Sequence, residues 1–196
     1  MHKMLPVALA ATLFLQGCAV GIIAAGAGVT ADTATDNRSL GNQIDDQTLD
    51  IRVTHALGLN KKLWEASNLS AVVQEGQVLV IGQTPTPEMR QEVTDIVKNV
   101  NGVKKVLNEV RLGQPVSLST RARDTWITTE IKTEIYADKH ILPGKIKVIT
   151  ENSEVFLIGL VTSKESKNAI EIARNVDGVS RVIEFFKIIP DTQAQS

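Results

Sequence analysis

The sequence predicts an α+β chain made of two tandem α-β-β-α-β domains, each a three-stranded mixed sheet packed on two helices. Three observations predict it. The stretch Asp46-Gln-Thr-Leu-Asp-Ile-Arg-Val-Thr-His-Ala-Leu57 realigns on Asp124 to Ile135, and the later segments of the two copies realign as well. Within each copy the apolar period switches from helical spacing to β-rich runs and back. The chain has 196 residues with 43% apolar and only 4% aromatic residues, which suits two small aliphatic cores.

The chain opens with MHKMLPVALAATLFLQGC. Lys3 provides a positive start, and Leu5 to Leu15 form an apolar run too short to cross a bilayer, as in an export signal over residues 1–17. Leu15-Gln16-Gly17-Cys18 resembles a bacterial lipobox, in which the thiol accepts a diacylglyceryl group and becomes the first mature residue. Cys18 is the sole cysteine, so no disulfide or cysteine-based zinc site competes for it. Ala19, rather than Asp, follows the cysteine, which by the same resemblance implies sorting to the outer membrane. Residues 18–44 then read as an acylated Cys and a flexible tether, rich in Ala, Gly, Val and Thr at its start.

The first domain is expected over 45–113. A helix over 45–59 carries the stripe Leu49, Val53 and Leu57, with Asp45-Asp46 placed at its start as N-cap and dipole partner. The runs Leu69–Gln74 and Gln77–Gly82 flank Glu75-Gly76, a pair suited to a hairpin turn. Thr86 and Pro87 start a second helix with Val93, Ile96, Val97 and Val100 on its buried side, and Gly102 serves as its C-cap. A last strand runs Val103–Leu112, parallel to the second after a crossover. Residues 114–123 form a linker holding Pro115, short enough to favour packed domains.

The second domain, 124–190, repeats this order. Its first helix over 124–138 carries Ile127, Ile131 and Ile135; Lys145–Glu151 and Glu154–Val161 flank Asn152-Ser153. Ser163 with Glu165 starts the next helix, which buries Ala169, Ile172, Ala173 and Val176 and ends at Gly178. The last strand runs Val179–Ile189, and 191–196 is a tail.

No catalytic constellation is apparent. His2, His55 and His140 do not cluster, and no nucleophile elbow, phosphate-binding glycine loop or zinc-protease motif is present. The reading is therefore not an enzyme, with no metal and no cofactor. A net charge of −1 offers no global basic field, so nucleic acid is not an expected partner.

What differs between the copies is then informative. Trp126, where the first copy has Thr48, points roughly 140° away from the Ile stripe at about 100° per residue. Thr133 and Ala137 fall near it, His140 lies somewhat further round, and Lys132, Tyr136 and Lys139 flank that face. An aromatic ringed by lysines suits the boundary between headgroups and acyl chains. The alternative places Trp126 in the interface between the domains or on the link. Trp64, after Lys61-Lys62-Leu63 in a loop, reads as a satellite core contact.

The lipobox, the tether, and two repeats with a Val-x-x-x-Gly strand end and an Asn/Asp-Gly-Val helix exit resemble the BON domain. Together they resemble the dual-BON outer-membrane lipoproteins of Gram-negative bacteria; Asp124-Thr-Trp-Ile-Thr-Thr129 and Glu154-Val-Phe-Leu157 match closely. The resemblance implies an outer-membrane location facing the periplasm and binding of anionic, phosphatidylglycerol-like phospholipid through the first helix of the second domain. That assigns Trp126, Lys132, Thr133, Tyr136, Ala137, Lys139 and His140 to the lipid site and Cys18 to the anchor. It also implies a role in envelope integrity and cell division. An adaptor docking an envelope protein partner is the alternative reading.

Overall fold

The computed structural model describes residues 40–191, with side chains from residue 45 onward. The signal peptide, Cys18, the tether up to 39 and the tail after 191 lie outside the described residues. The first domain contains α1 (Leu40–Leu59), α2 (Lys61–Ala66), β1 (Asn68–Gln74), β2 (Gln77–Thr84), α3 (Pro87–Lys98) and β3 (Lys105–Leu112). The second contains α4 (Leu118–Ala137), β4 (Ile146–Glu151), β5 (Glu154–Val161), α5 (Ser163–Asn175) and β6 (Arg181–Ile188).

Each domain forms its own three-stranded sheet. The hairpin strands pair antiparallel, β1 with β2 and β4 with β5, and the last strand joins the second in parallel, β2 with β3 and β5 with β6. This is the predicted mixed topology. The stripes Leu49, Val53, Leu57 and Ile127, Ile131, Ile135 are buried, and each packs on alternate residues of the central strand, Val78 and Val80 or Val155 and Leu157.

The other face of each central strand is buried too. Leu79 and Ile81 of β2, with Val72, form one cluster with Phe156 and Ile158 of β5 and Phe185 of β6. The two sheets therefore pack face to face, with the helices on the outer layers. That arrangement explains why β2 and β5 are continuous apolar runs rather than alternating ones. Polar pairs rim the seam. Gln83 Nε2 and Asn68 Nδ2 donate to Glu151 Oε1 at 2.7 and 3.1 Å, and Arg111 Nε donates to Glu154 Oε2 at 2.8 Å. Lys187 pairs with Glu75 across the same seam.

Several local expectations are corrected. Helix α4 begins at Leu118, so more than half of the predicted 114–123 linker is helical; Ser117 caps it by accepting from the Thr120 N–H at 3.2 Å. Helix α1 begins at Leu40, so Asp45 and Asp46 lie inside it rather than at its start. Trp64 sits on the short helix α2, not in a loop. The core contact there is Leu63, fully buried, while Trp64 is 40% exposed. The caps of α3 and α5 are Asn99 and Val176; Gly102 and Gly178 follow in the turns, both at positive φ. The N-cap of α5 is Thr162, and Ser163 is the first helical residue.

Asp46 has a role that the sequence reading missed, and Asp124 repeats it. Both are buried, and the two oxygens of each carboxylate accept the two backbone N–H groups of the neighbouring hairpin turn. Asp46 takes Glu75 and Gly76 at 2.7 and 3.0 Å; Asp124 takes Asn152 and Ser153, both at 2.8 Å. All four turn residues have positive φ, which is costly for Asn and especially Ser. Charge-assisted bonds from the preceding helix offset that cost. The Val-x-x-x-Gly signature also gains a cause: a Cβ on Gly82 or Gly159 would lie 1.8 or 2.2 Å from the carbonyl oxygen of Asn68 or Lys145.

Candidate lipid-contact surface

Helix α4 is two-faced. Its inner side carries Ile127, Ile131 and Ile135, all buried. The opposite side carries Trp126, which is 49% exposed and belongs to none of the buried clusters. The seam between the domains is closed by the sheets without it, and Trp126 is no interdomain plug.

From Trp126, Thr133 and Ala137 follow on the same face over about 16 Å at 1.5 Å rise per residue. Both are exposed, and Tyr136 beside them is 61% exposed. Lys132 is exposed on the flank. Lys139 and His140 are exposed in the turn after the helix, where the His140 N–H donates to Asp138 Oδ1 at 2.6 Å. Neither Lys132 nor Lys139 is ion-paired among the described residues. All seven predicted residues are exposed, five on the helix and two just after it, with Lys132 on the flank rather than on the Trp126 face.

The hydroxyls on this face are turned inward. Thr125, Thr129 and Thr133 each donate to the carbonyl oxygen four residues earlier, at 2.9, 2.8 and 2.9 Å. Their donors are satisfied by the helix itself, so burying the face strands no hydroxyl. Thr133 therefore adds to the apolar character of the surface rather than offering a free donor to a phosphate.

Two exposed apolar residues were missed. Leu142, 46% exposed, lies beyond His140; Leu118 begins the face on the first residue of α4. Leu118 was hidden by the assumption that the helix starts at Asp124, although Ser117 was a visible cap signal. A loop leucine such as Leu142 has no periodicity to announce it.

The loop carrying Lys139, His140 and Leu142 is pinned from below. Ile141 is buried in the core, and Glu165 of α5 reaches under the loop. Glu165 Oε1 accepts from Lys145 Nζ at 3.4 Å and the Leu142 N–H at 3.5 Å, while Oε2 accepts from the Thr162 N–H at 2.8 Å. Burial disfavours the charged carboxylate, but the Thr162 N–H, the Lys145 ammonium and the other donors outweigh it. They hold the carboxyl below the ordinary glutamate range.

A cleft of about 390 Å³ lies between the middle of α1 and the first hairpin turn. Most of its charged lining is already engaged: Asp46 by the turn, Glu75 by Lys187, and Arg52 by the carbonyl of Asn101, while the remaining Asp45 and Lys104 are of opposite sign. It offers no convergent set of free groups of one sign.

A family model described as BON domain matches residues 45–114 and 123–190. The chain belongs to the BON domain family. Over 95% of its length it is 39% identical to the outer membrane lipoprotein DolP of Haemophilus influenzae, covering 96% of that protein. It is 38% identical to the 21 kDa hemolysin of Actinobacillus pleuropneumoniae over 79% of each chain. It is 31% identical to the osmotically-inducible protein Y of Escherichia coli, covering 73% of this chain and 72% of that one.

Proposed function

We propose that this BON protein is a periplasm-facing outer-membrane lipoprotein, anchored through acylated Cys18, whose second domain binds anionic phospholipid through the outward face of α4. The half-exposed Trp126 carries this reading. A large aromatic is left out of the interdomain seam, near lysines that have no ion pair among the described residues and threonines with satisfied hydroxyls. The lipobox and the similarity to DolP, an outer membrane lipoprotein, support the anchor and the location.

The indole ring sinks to the boundary of the acyl region while its N–H keeps a polar partner. Each lysine near an anionic surface adds about 1 kcal/mol. The acyl chains hold the domain near the bilayer, so a weak headgroup site works at high effective concentration. Binding without chemistry fits a protein that marks or supports anionic regions of the envelope, including division sites, and it requires neither cofactor nor metal.

The test uses the non-acylated mature chain, with Cys18→Ser, and phosphatidylglycerol vesicles. In a Trp64→Phe background, Trp126 emission should shift to the blue on binding, and Trp126→Ala should weaken binding about tenfold, in line with loss of a buried large side chain. Equal binding by Trp126→Ala would remove the lipid reading. In cells Cys18→Ala should leave the membrane fraction, and its retention there would remove the anchor.

A further inference from the structure

The two domains close the same gap differently. In the first, the chain between helix and sheet forms α2, and Leu63 plugs the core. In the second, the corresponding stretch forms no helix, and Ile141 is the plug. The loop is held instead by a buried ion pair, Lys145 with Glu165, whose side chains are only 3% and 6% exposed. The first domain has Met89 at the position of Glu165, three residues after the helix cap, and there it packs on the core.

A buried ion pair is a poor source of stability, because desolvation cancels much of the attraction. It is a good means of fixing one geometry, since both groups lose heavily if the loop moves. Here the geometry fixed is that of residues 138–145, with the Leu142 N–H and Lys145 Nζ on the same oxygen, Oε1. That loop presents Lys139, His140 and Leu142 beyond the end of α4.

We propose that Glu165 is a positioning residue for lipid binding: it latches the 138–145 loop so that Lys139, His140 and Leu142 extend the face begun by Trp126. The inference rests on the phospholipid reading above. Without the latch, α4 still presents Trp126 and Tyr136, but Lys139 and His140 after the helix are no longer held at headgroup level. Headgroup discrimination is lost while partition of the indole persists.

The test is a double-mutant cycle with the non-acylated mature chain. Affinity is measured for vesicles of phosphatidylglycerol in phosphatidylcholine and of phosphatidylcholine alone. Glu165→Gln should weaken binding to the anionic vesicles several-fold and leave the Trp126 emission shift and the weak binding to neutral vesicles unchanged. Lys139→Ala/His140→Ala should cost several-fold in the wild type and almost nothing in Glu165→Gln, because both act through the same loop. A merely structural role would not produce that coupling. Circular dichroism checks folding; should Glu165→Gln unfold, Glu165→Gln/Lys145→Met, which leaves no buried charge, enters the cycle instead. Unchanged affinity in the Glu165 variant, or additive losses, would overturn the latch. If Trp126→Ala binds as wild type, it is the phospholipid reading that fails, which keeps the two outcomes apart.

Discussion

At the scale of single residues, the two buried aspartates show how a carboxylate can shape backbone. Each receives two N–H groups from a turn whose residues sit at positive φ. In the first domain Gly76 eases that conformation; in the second, Asn152-Ser153 leaves more of the task to Asp124. Hydrogen bonds to charged groups contribute about 1.5–3 kcal/mol each, and removing the acceptor strands two amides. Asp124→Ala should therefore destabilise by about 2–4 kcal/mol in urea titration, and Asp124→Asn, which keeps one acceptor oxygen, by less. Equal, negligible losses for both would mean the turn holds itself. The repeat made Asp46 and Asp124 visible as a matched pair, but their partners lie about thirty residues away along the chain, outside the reach of any local rule about helix starts.

Among the elements, α4 combines legible and illegible parts. Its buried stripe followed from the four-residue spacing of Ile127, Ile131 and Ile135, and Trp126 stood out because it broke that pattern. The early start at Leu118 did not, since a capped polar stretch near a proline reads equally well as linker. Nor did the inward turn of the threonine hydroxyls, which depends on rotamers. That turn has a consequence. Thr133→Val keeps the outward shape and removes a hydroxyl already spent on Thr129. It should bind phosphatidylglycerol vesicles as well as wild type or slightly better. A marked loss would show that the hydroxyl swings out to serve the headgroup. In the helix α2 region, propensity was overridden by packing: Leu63 is the anchor, and Trp64 is carried past the core.

For the whole molecule, the sheet-to-sheet seam decides the behaviour. Neither domain covers both faces of its own sheet, because its helices occupy only one side. The apolar outer faces meet through Leu79, Ile81, Phe156, Ile158 and Phe185. The ion pairs around the rim add little by comparison, since partly exposed pairs contribute about 0–1 kcal/mol. Phe156→Ala should cost about 3–5 kcal/mol as a large-to-small core change. It should lower the melting of both domains in one shared transition. A calorimetric trace in which the first domain melts unchanged would show the domains to be independent. With the seam sealed by the sheets, the helices are left on the outer layers, which frees the outward side of α4 for a surface that the protein does not itself provide.

The sequence by itself determined the repeat, the order of elements apart from the short helix α2, the mixed sheet topology and the buried stripes. Those depend on spacing along one chain, and periodicity records them directly. It also singled out Trp126, because a large apolar residue off the stripe is a local anomaly. Only the tertiary structure decided whether that residue was sealed between domains or left at the surface. The answer lay in which faces of two sheets meet, a choice made by Leu79, Ile81, Phe156 and Phe185 acting together. The same holds for Glu165, which looks like an ordinary capping glutamate until the loop of Lys145 and Leu142 is folded over it.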